Sequence, residues 1–190
     1  MGKITLVTGG ARSGKSTFAE DSLRKKKRVL YIATAVAYDE EMKERIRLHK
    51  RQRPDTWQTL EAYDRLDEKI PDLKTVYDGI LLDCVTVMLT NLLFSQEGFD
   101  EEGSTEEFWR EFEYETLLKI NKLLQCARSM TDHFILVTNE IGMGLVPETA
   151  FSRRFRDMAG RINQMIAKES DEVCLVVSGI PMMIKGGDKS

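Results

Sequence analysis

No stretch of this chain approaches the roughly 18 consecutive apolar residues that a membrane-spanning helix needs. There is no Cys-x-x-Cys pair either, and the three cysteines, Cys84, Cys126 and Cys174, are odd in number and widely separated. That spacing excludes a disulfide framework or a cysteine-based zinc site and suits free thiols buried in a reducing compartment. Only two histidines are present, His49 and His133, so no Cys/His cluster is available to a metal. An excess of one charge is missing as well: 28 Lys and Arg stand against 31 Asp and Glu, for a net charge of -3. No overall field therefore draws the protein to nucleic acid or to an anionic membrane. Leader-like residues are absent before the first apolar run, no internal repeat is visible, and 190 residues suffice to bury a core unaided. A single cytoplasmic domain covering residues 1–190 is expected.

What the chain does have begins at Gly9, Gly10, Ala11, Arg12, Ser13, Gly14, Lys15 and Ser16. This octapeptide follows the apolar run at residues 4–8 and opens a helix-like stretch at 17–26, the setting that a phosphate-binding P-loop requires. Its glycines let successive backbone N–H groups turn inward onto phosphate oxygens, and the helix adds the positive end of its dipole. Lys15 would reach the terminal phosphates, and Ser16 would hold a Mg2+ ion bridging them.

Four more short apolar runs, at Val29–Ala33, 80–82, 134–138 and 173–178, have the look of strands buried on both faces. Helix-like segments at 39–53, 86–94, 105–129 and 149–168 alternate with them. Such an order predicts an α/β fold, P-loop NTPase-like, with a mostly parallel sheet carrying helices on both faces. Ligands of such sheets sit beyond the carboxyl ends of the strands. The segments to inspect are then 9–16, 34–37, 83–86, 139–144 and 179–182. Residues 96–107, acidic and with Phe99 as the sole large apolar side chain, read as a solvated loop feeding a long helix. The tail from 185 onward reads as fraying.

Asp83 ends an apolar strand as a Walker B carboxylate does, which would put it beside the same Mg2+. An Asp in that place is also a common helix cap. His49 lies in a basic helix-like segment where Arg45, His49 and Arg53 form one i, i+4, i+8 stripe flanked by Met42 and Ile46. Neighbouring cations would keep its imidazole neutral and able to attack an α-phosphorus, then steady the departing pyrophosphate. The competing reading is a solvated basic helix face. His133 reads as a partly exposed loop residue. Glu140, beside Asn139, either positions a hydroxyl or caps its loop. Arg153, Arg154, Arg156 and Arg161 would attract phosphate or, preferably, form a solvated helix face or subunit-contact ion pairs. The run 24–28 lies away from the ligand edge and reads as a solvated turn. On these residues alone the function is a P-loop small-molecule kinase, a nucleotide-switched regulatory ATPase, or an enzyme that also transfers a nucleotidyl group through His49.

Several segments, in order, narrow this choice. The P-loop is followed by Tyr31-Ile32-Ala33-Thr34-Ala35, by Asp39-Glu40-Glu41-Met42 leading to Arg45-Ile46-Arg47-Leu48-His49, and by Asp83-Cys84-Val85-Thr86 with Thr90-Asn91-Leu92-Leu93. Asn139-Glu140-Ile141-Gly142, Val146-Pro147-Glu148 and the run from Ser152 to Gln164 complete the set. Together they resemble the bifunctional adenosylcobinamide kinase / adenosylcobinamide-phosphate guanylyltransferase family of cobalamin biosynthesis, over nearly the whole chain. The resemblance implies two reactions. ATP or GTP phosphorylates the aminopropanol hydroxyl of adenosylcobinamide, and GTP then donates GMP through a covalent GMP-histidine, giving adenosylcobinamide-GDP and pyrophosphate. The covalent histidine falls on His49. Nucleotide contacts fall on the P-loop, on Ala33, Thr34 and Ala35, on Lys50, Arg51, Gln52 and Arg53, on Glu61 and on Asp83. Glu61 would select guanine by accepting from its N1–H and N2–H2 groups, a donor pair that adenine lacks. The resemblance also implies a homo-oligomer, a trimer of identical chains. Met88 departs from the family pattern, where a tryptophan is expected, and residues 96–107 match none of its motifs.

Overall fold

Runs of apolar residues buried on both sides explain the sheet at the centre of the molecule. In the computed structural model, which describes residues 2–36 and 54–187, β1 (Lys3–Gly9) leads through the octapeptide into α1 (Lys15–Leu23) and β2 (Val29–Ala33). There follow β3 (Gln58–Glu61), α2 (Leu66–Asp72), β4 (Gly79–Asp83), α3 (Val85–Phe94), α4 (Glu106–Met130), β5 (His133–Asn139), α5 (Ala150–Glu169), β6 (Glu172–Val177) and β7 (Ile180–Lys185). The seven strands form one sheet in the order β3-β2-β4-β5-β1-β6-β7. All neighbours pair in parallel except β6 and β7, which pair antiparallel.

Every residue of β2 is buried, as are Ile80, Leu81 and Leu82 of β4 and Phe134 to Thr138 of β5. Alternate side chains feed two cores. One, with Val7, Tyr31, Leu81 and Val137, packs against Ala19 and Leu23 of α1. The other, with Leu6, Ile32, Leu82 and Leu136, packs beneath α2, α3, α4 and α5. The sheet is thus covered on both faces, as the alternation of runs predicts.

Helix starts follow local chemistry. Thr105 caps α4 by accepting from Phe108 N–H at 3.2 Å, with Glu106 and Glu107 in the first turn favouring the positive end of the dipole. Thr149 caps α5 in the same way, accepting from Ser152 N–H at 3.1 Å. The acidic connection before α4 is pinned by its one aromatic residue. Phe99 stacks among Phe94, Phe108 and Phe151 with ring centroids 5.2, 5.9 and 5.9 Å away.

Three elements differ from the sequence expectation. β3 has only four residues, two of them exposed; α2 has only seven and contains Pro71. Neither is long enough to display a period. β7 replaces the expected ligand-edge loop and part of the fraying tail. Ser178 and Gly179 both have positive φ, 52° and 81°, which makes the tight two-residue turn that reverses β6 into β7. His133 is the first residue of β5 rather than a loop residue, and its Nε2 meets Thr5 Oγ1 at 2.9 Å. The helix expected over 39–53 lies outside the described residues. Among those described, no helix is long and apolar enough to cross a membrane.

Candidate nucleotide-binding site

The octapeptide leaves β1 at the carboxyl edge of the sheet and folds over the start of α1. Gly9 is there because nothing larger fits: a Cβ would lie 2.5 Å from the carbonyl oxygen of Val176 and 2.6 Å from Ser13 Oγ. Gly14, at the N-cap of α1, has φ of 92° in the left-handed region that glycine adopts without cost. The loop is fastened from two sides. Glu140 N–H donates to Gly9 O at 3.0 Å, and Gly179 N–H in the β6–β7 turn donates to Ser13 O at 2.8 Å.

Within this frame the first helical hydrogen bond runs from Phe18 N–H to Gly14 O at 2.9 Å, so the N–H groups just before it stand at the positive helix end. Lys15 is buried, and its Nζ donates to Gly10 O at 3.0 Å across the curl of the loop. The buried hydroxyls of Ser13 and Thr8 have no hydrogen-bond partner among the described residues. Buried polar groups are normally satisfied, so the unpaired Ser13 hydroxyl, inside a phosphate-type loop, fits a ligand that brings its own acceptors. Gly10, Ala11 and Arg12 form the exposed lip, and Ser16 is half-buried on the first turn.

The other expected residues line the same edge in an order set by strand pairing. Gly9 pairs with Asn139 on β5, while Asp83 lies opposite Ala33, and Ala33 opposite Glu61. At about 4.8 Å per strand, Glu61 is four strand spacings from Gly9, roughly 19 Å along the edge. One nucleotide reaching both would lie along the edge over β5, β4 and β2.

Asp83 shares the α1 face with Leu81, two residues back on the same strand. Its Oδ2 accepts from the hydroxyl of Tyr31 at 2.8 Å. Burial pushes the adjacent Cys84 thiol up to about 11, the Asp83 carboxylate acting in the same direction and the Lys15 ammonium against it. A carboxylate and an ammonium thus converge on Cys84, which is itself an inert thiol. The strand end is also gripped by Thr34. The Thr34 hydroxyl donates to Cys84 O at 2.8 Å and accepts from Cys84 N–H at 2.8 Å, while Thr34 N–H donates to Asp83 O at 3.2 Å. Asn91 Nδ2, from α3, donates to Thr34 O at 2.6 Å. The Thr34 side chain is therefore engaged with the backbone just past β4.

The sequence of residues 5–184 matches the family described as cobinamide kinase / cobinamide phosphate guanyltransferase. The chain belongs to this family. It is 45% identical over 182 residues to the bifunctional adenosylcobalamin biosynthesis protein CobU of Escherichia coli strain K12, covering 96% of this chain and 99% of that protein. It is 46% identical over 184 residues to the protein of the same name from Salmonella typhimurium, with 96% and 99% covered. Against the bifunctional adenosylcobalamin biosynthesis protein CobP of Pseudomonas aeruginosa the figures are 38% over 182 residues, with 95% and 96% covered.

For this member of the cobinamide kinase / guanyltransferase family, the structure brings the P-loop, Ala33, Thr34, Ala35, Glu61 and Asp83 to one edge. His49, Lys50, Arg51, Gln52 and Arg53 lie outside the described residues. Glu140 reaches the edge too, its Oε1 accepting from Gly142 N–H at 3.3 Å. The arginines of α5 face other tasks: Arg153 donates to the carbonyls of Pro147 and Glu148, Arg154 pairs with Glu106, and Arg161 makes a two-pronged pair with Glu113. Met88 lines a shallow cleft on the opposite face with Tyr63, Arg65, Leu92, Lys119 and Ile120. Two residues of the site carry no role in the sequence reading: Tyr31 and Asn91. The available signal was a polar group inside an otherwise apolar run, a phenol in β2 and an amide in α3.

Proposed function

We propose that the chain, acting in the cytoplasm, carries out both reactions of its family. In the first, the aminopropanol hydroxyl of adenosylcobinamide attacks the γ-phosphorus of a nucleoside triphosphate. The P–O bond to the β-phosphate breaks, the hydroxyl proton is lost, and a nucleoside diphosphate departs. In the second, a ring nitrogen of His49 attacks the α-phosphorus of GTP, forming a P–N bond and releasing pyrophosphate. A phosphate oxygen of adenosylcobinamide phosphate then takes the GMP group and frees the imidazole.

What carries this reading is the joining, at one sheet edge, of a formed P-loop, whose buried Ser13 hydroxyl has no partner among the described residues, with the Asp83 carboxylate. Lys15 would leave Gly10 O for a phosphate oxygen, and the N–H groups at the start of α1 would hold the rest. Ser16 and Asp83 would hold a magnesium ion, whose chemistry when bound is to offset the phosphate charge. Their oxygens fit a hard cation. Glu61, exposed at the end of β3, is the guanine-reading carboxylate in this scheme. Self-association into trimers is part of the proposal, supported by apolar β7 side chains left in solvent, Ile180 at 66% and Ile184 at 61% exposure; a monomeric mass in solution would remove it.

The experiment is incubation with α-labelled GTP and Mg2+, followed by denaturation. Label should stay with the chain, be lost in acid as a phosphoramidate is, and be absent from His49→Ala. No label on the wild type would leave a kinase without a covalent GMP intermediate, and undiminished label on the variant would remove His49 as its carrier. Run with α-labelled ATP, the same assay reads the task given to Glu61, and Glu61→Gln should narrow the preference for GTP.

A further inference from the structure

We propose that Tyr31 is a positioning residue for Asp83, holding one carboxylate oxygen so that the other is presented to the phosphates and cation of the P-loop. The inference rests on the reading of Asp83 as the metal-side carboxylate and adds a residue to that site. Tyr31 stands in the middle of β2, 2% exposed, in a strand with no other hydrogen-bonding side chain. Parallel pairing puts Tyr31 opposite Leu81 and Ala33 opposite Asp83. Both Tyr31 and Asp83 therefore project to the α1 face, Tyr31 one alternation further from the edge, and its phenol reaches forward to meet Oδ2 at 2.8 Å.

Oδ2 is thereby committed to a donor. The other oxygen, Oδ1, has no hydrogen-bond partner among the described residues. The backbone beneath is fixed separately, because Thr34 holds Asp83 O through its N–H and Cys84 N–H through its hydroxyl. Anchored at backbone and at one oxygen, the carboxylate is left a single orientation, and a cation ligand gains most when its geometry is fixed before binding. A buried tyrosine merely satisfying its own hydroxyl would predict no connection to metal binding, and that difference is measurable.

Tyr31→Phe removes the hydroxyl and keeps the ring. Mn2+ is titrated into the full-length chain loaded with ATP and followed by its paramagnetic resonance, and ATP affinity is measured separately in EDTA. Mn2+ binding should weaken roughly three- to tenfold in Tyr31→Phe, the range that corresponds to the net worth of a typical hydrogen bond. ATP affinity in EDTA should stay at the wild-type value, and the urea midpoint should fall no further than one lost hydrogen bond accounts for. Asp83→Asn should weaken Mn2+ at least as much, and adding Tyr31→Phe to Asp83→Asn should cost nothing further, since the two act through one oxygen pair. Wild-type Mn2+ affinity in Tyr31→Phe, with Asp83→Asn impaired, overturns the positioning role alone. Wild-type affinity in both variants overturns the metal-side reading and this inference together. Equal losses with and without metal, or additive losses in the double variant, overturn it in favour of a structural role.

Discussion

Thr34→Val keeps the shape of a side chain that is 1% exposed and deletes only its hydroxyl. Two bonds to Cys84 go with it, one to the carbonyl and one from the N–H, each 2.8 Å long. They are unequal in consequence. Cys84 O still accepts from Met88 N–H at 3.0 Å, in the first turn of α3, so that acceptor stays satisfied. Cys84 N–H, in contrast, faces a methyl group in a buried position. An orphaned donor costs about 1–3 kcal/mol and the second bond about 1, so the variant should lose about 2–4 kcal/mol of unfolding free energy. For a chain of this size that corresponds to a drop of roughly 4–16 °C in midpoint temperature. Thr34→Ser is the control, keeping the hydroxyl and losing one methyl, for about 1 kcal/mol. Urea unfolding at fixed protein concentration, followed by the fluorescence of Trp57 and Trp109, reads both as shifts in midpoint at constant slope. The reasoning fails if Thr34→Val matches the wild type, or if Thr34→Ser is the more damaging change.

His133 predicts a pH dependence. Burial draws its pKa below the ordinary 6.5, with Lys3 acting the same way, Glu172 opposing and Lys26 adding to the decrease. The unfolded chain therefore takes up the proton first, so stability declines as pH falls from 6.5 toward the lower folded value; His133→Gln should flatten the unfolding midpoint between about pH 7 and pH 5, and an unchanged slope would dismiss the assignment. Gly14→Ala places a Cβ at a φ of 92° and 3.2 Å from Gly179 Cα. The left-handed conformation alone costs about 1–2 kcal/mol, so a lower urea midpoint and weaker ATP binding are expected together, and a variant with wild-type values of both would show that the loop accommodates a side chain.

Local signals made part of this site readable in the sequence. The P-loop announces itself because its glycines, its lysine and the strand and helix on either side are contiguous, so turn chemistry and period are read in one window. Asp83 follows an apolar run, and that is enough to place it at the carboxyl edge. The sheet's central strands were equally plain because burial on both faces makes them apolar throughout. β7 was not, since all six of its residues are exposed and a strand with no buried face writes no alternation. Thr34 shows where such reading ends. The family resemblance assigns it to the nucleotide, and its place after β2 agrees with the edge, yet its hydroxyl is spent on Cys84, fifty residues further along. Tyr31 and Asp83 are likewise related only through the pairing of β2 with β4. A polar group set in a buried strand is conspicuous in sequence, but its partner is chosen by register, and register is a property of the assembled sheet. The end of β4 is thus held by Tyr31 of β2 and by Thr34 just beyond it, two side chains that reach across from the neighbouring strand.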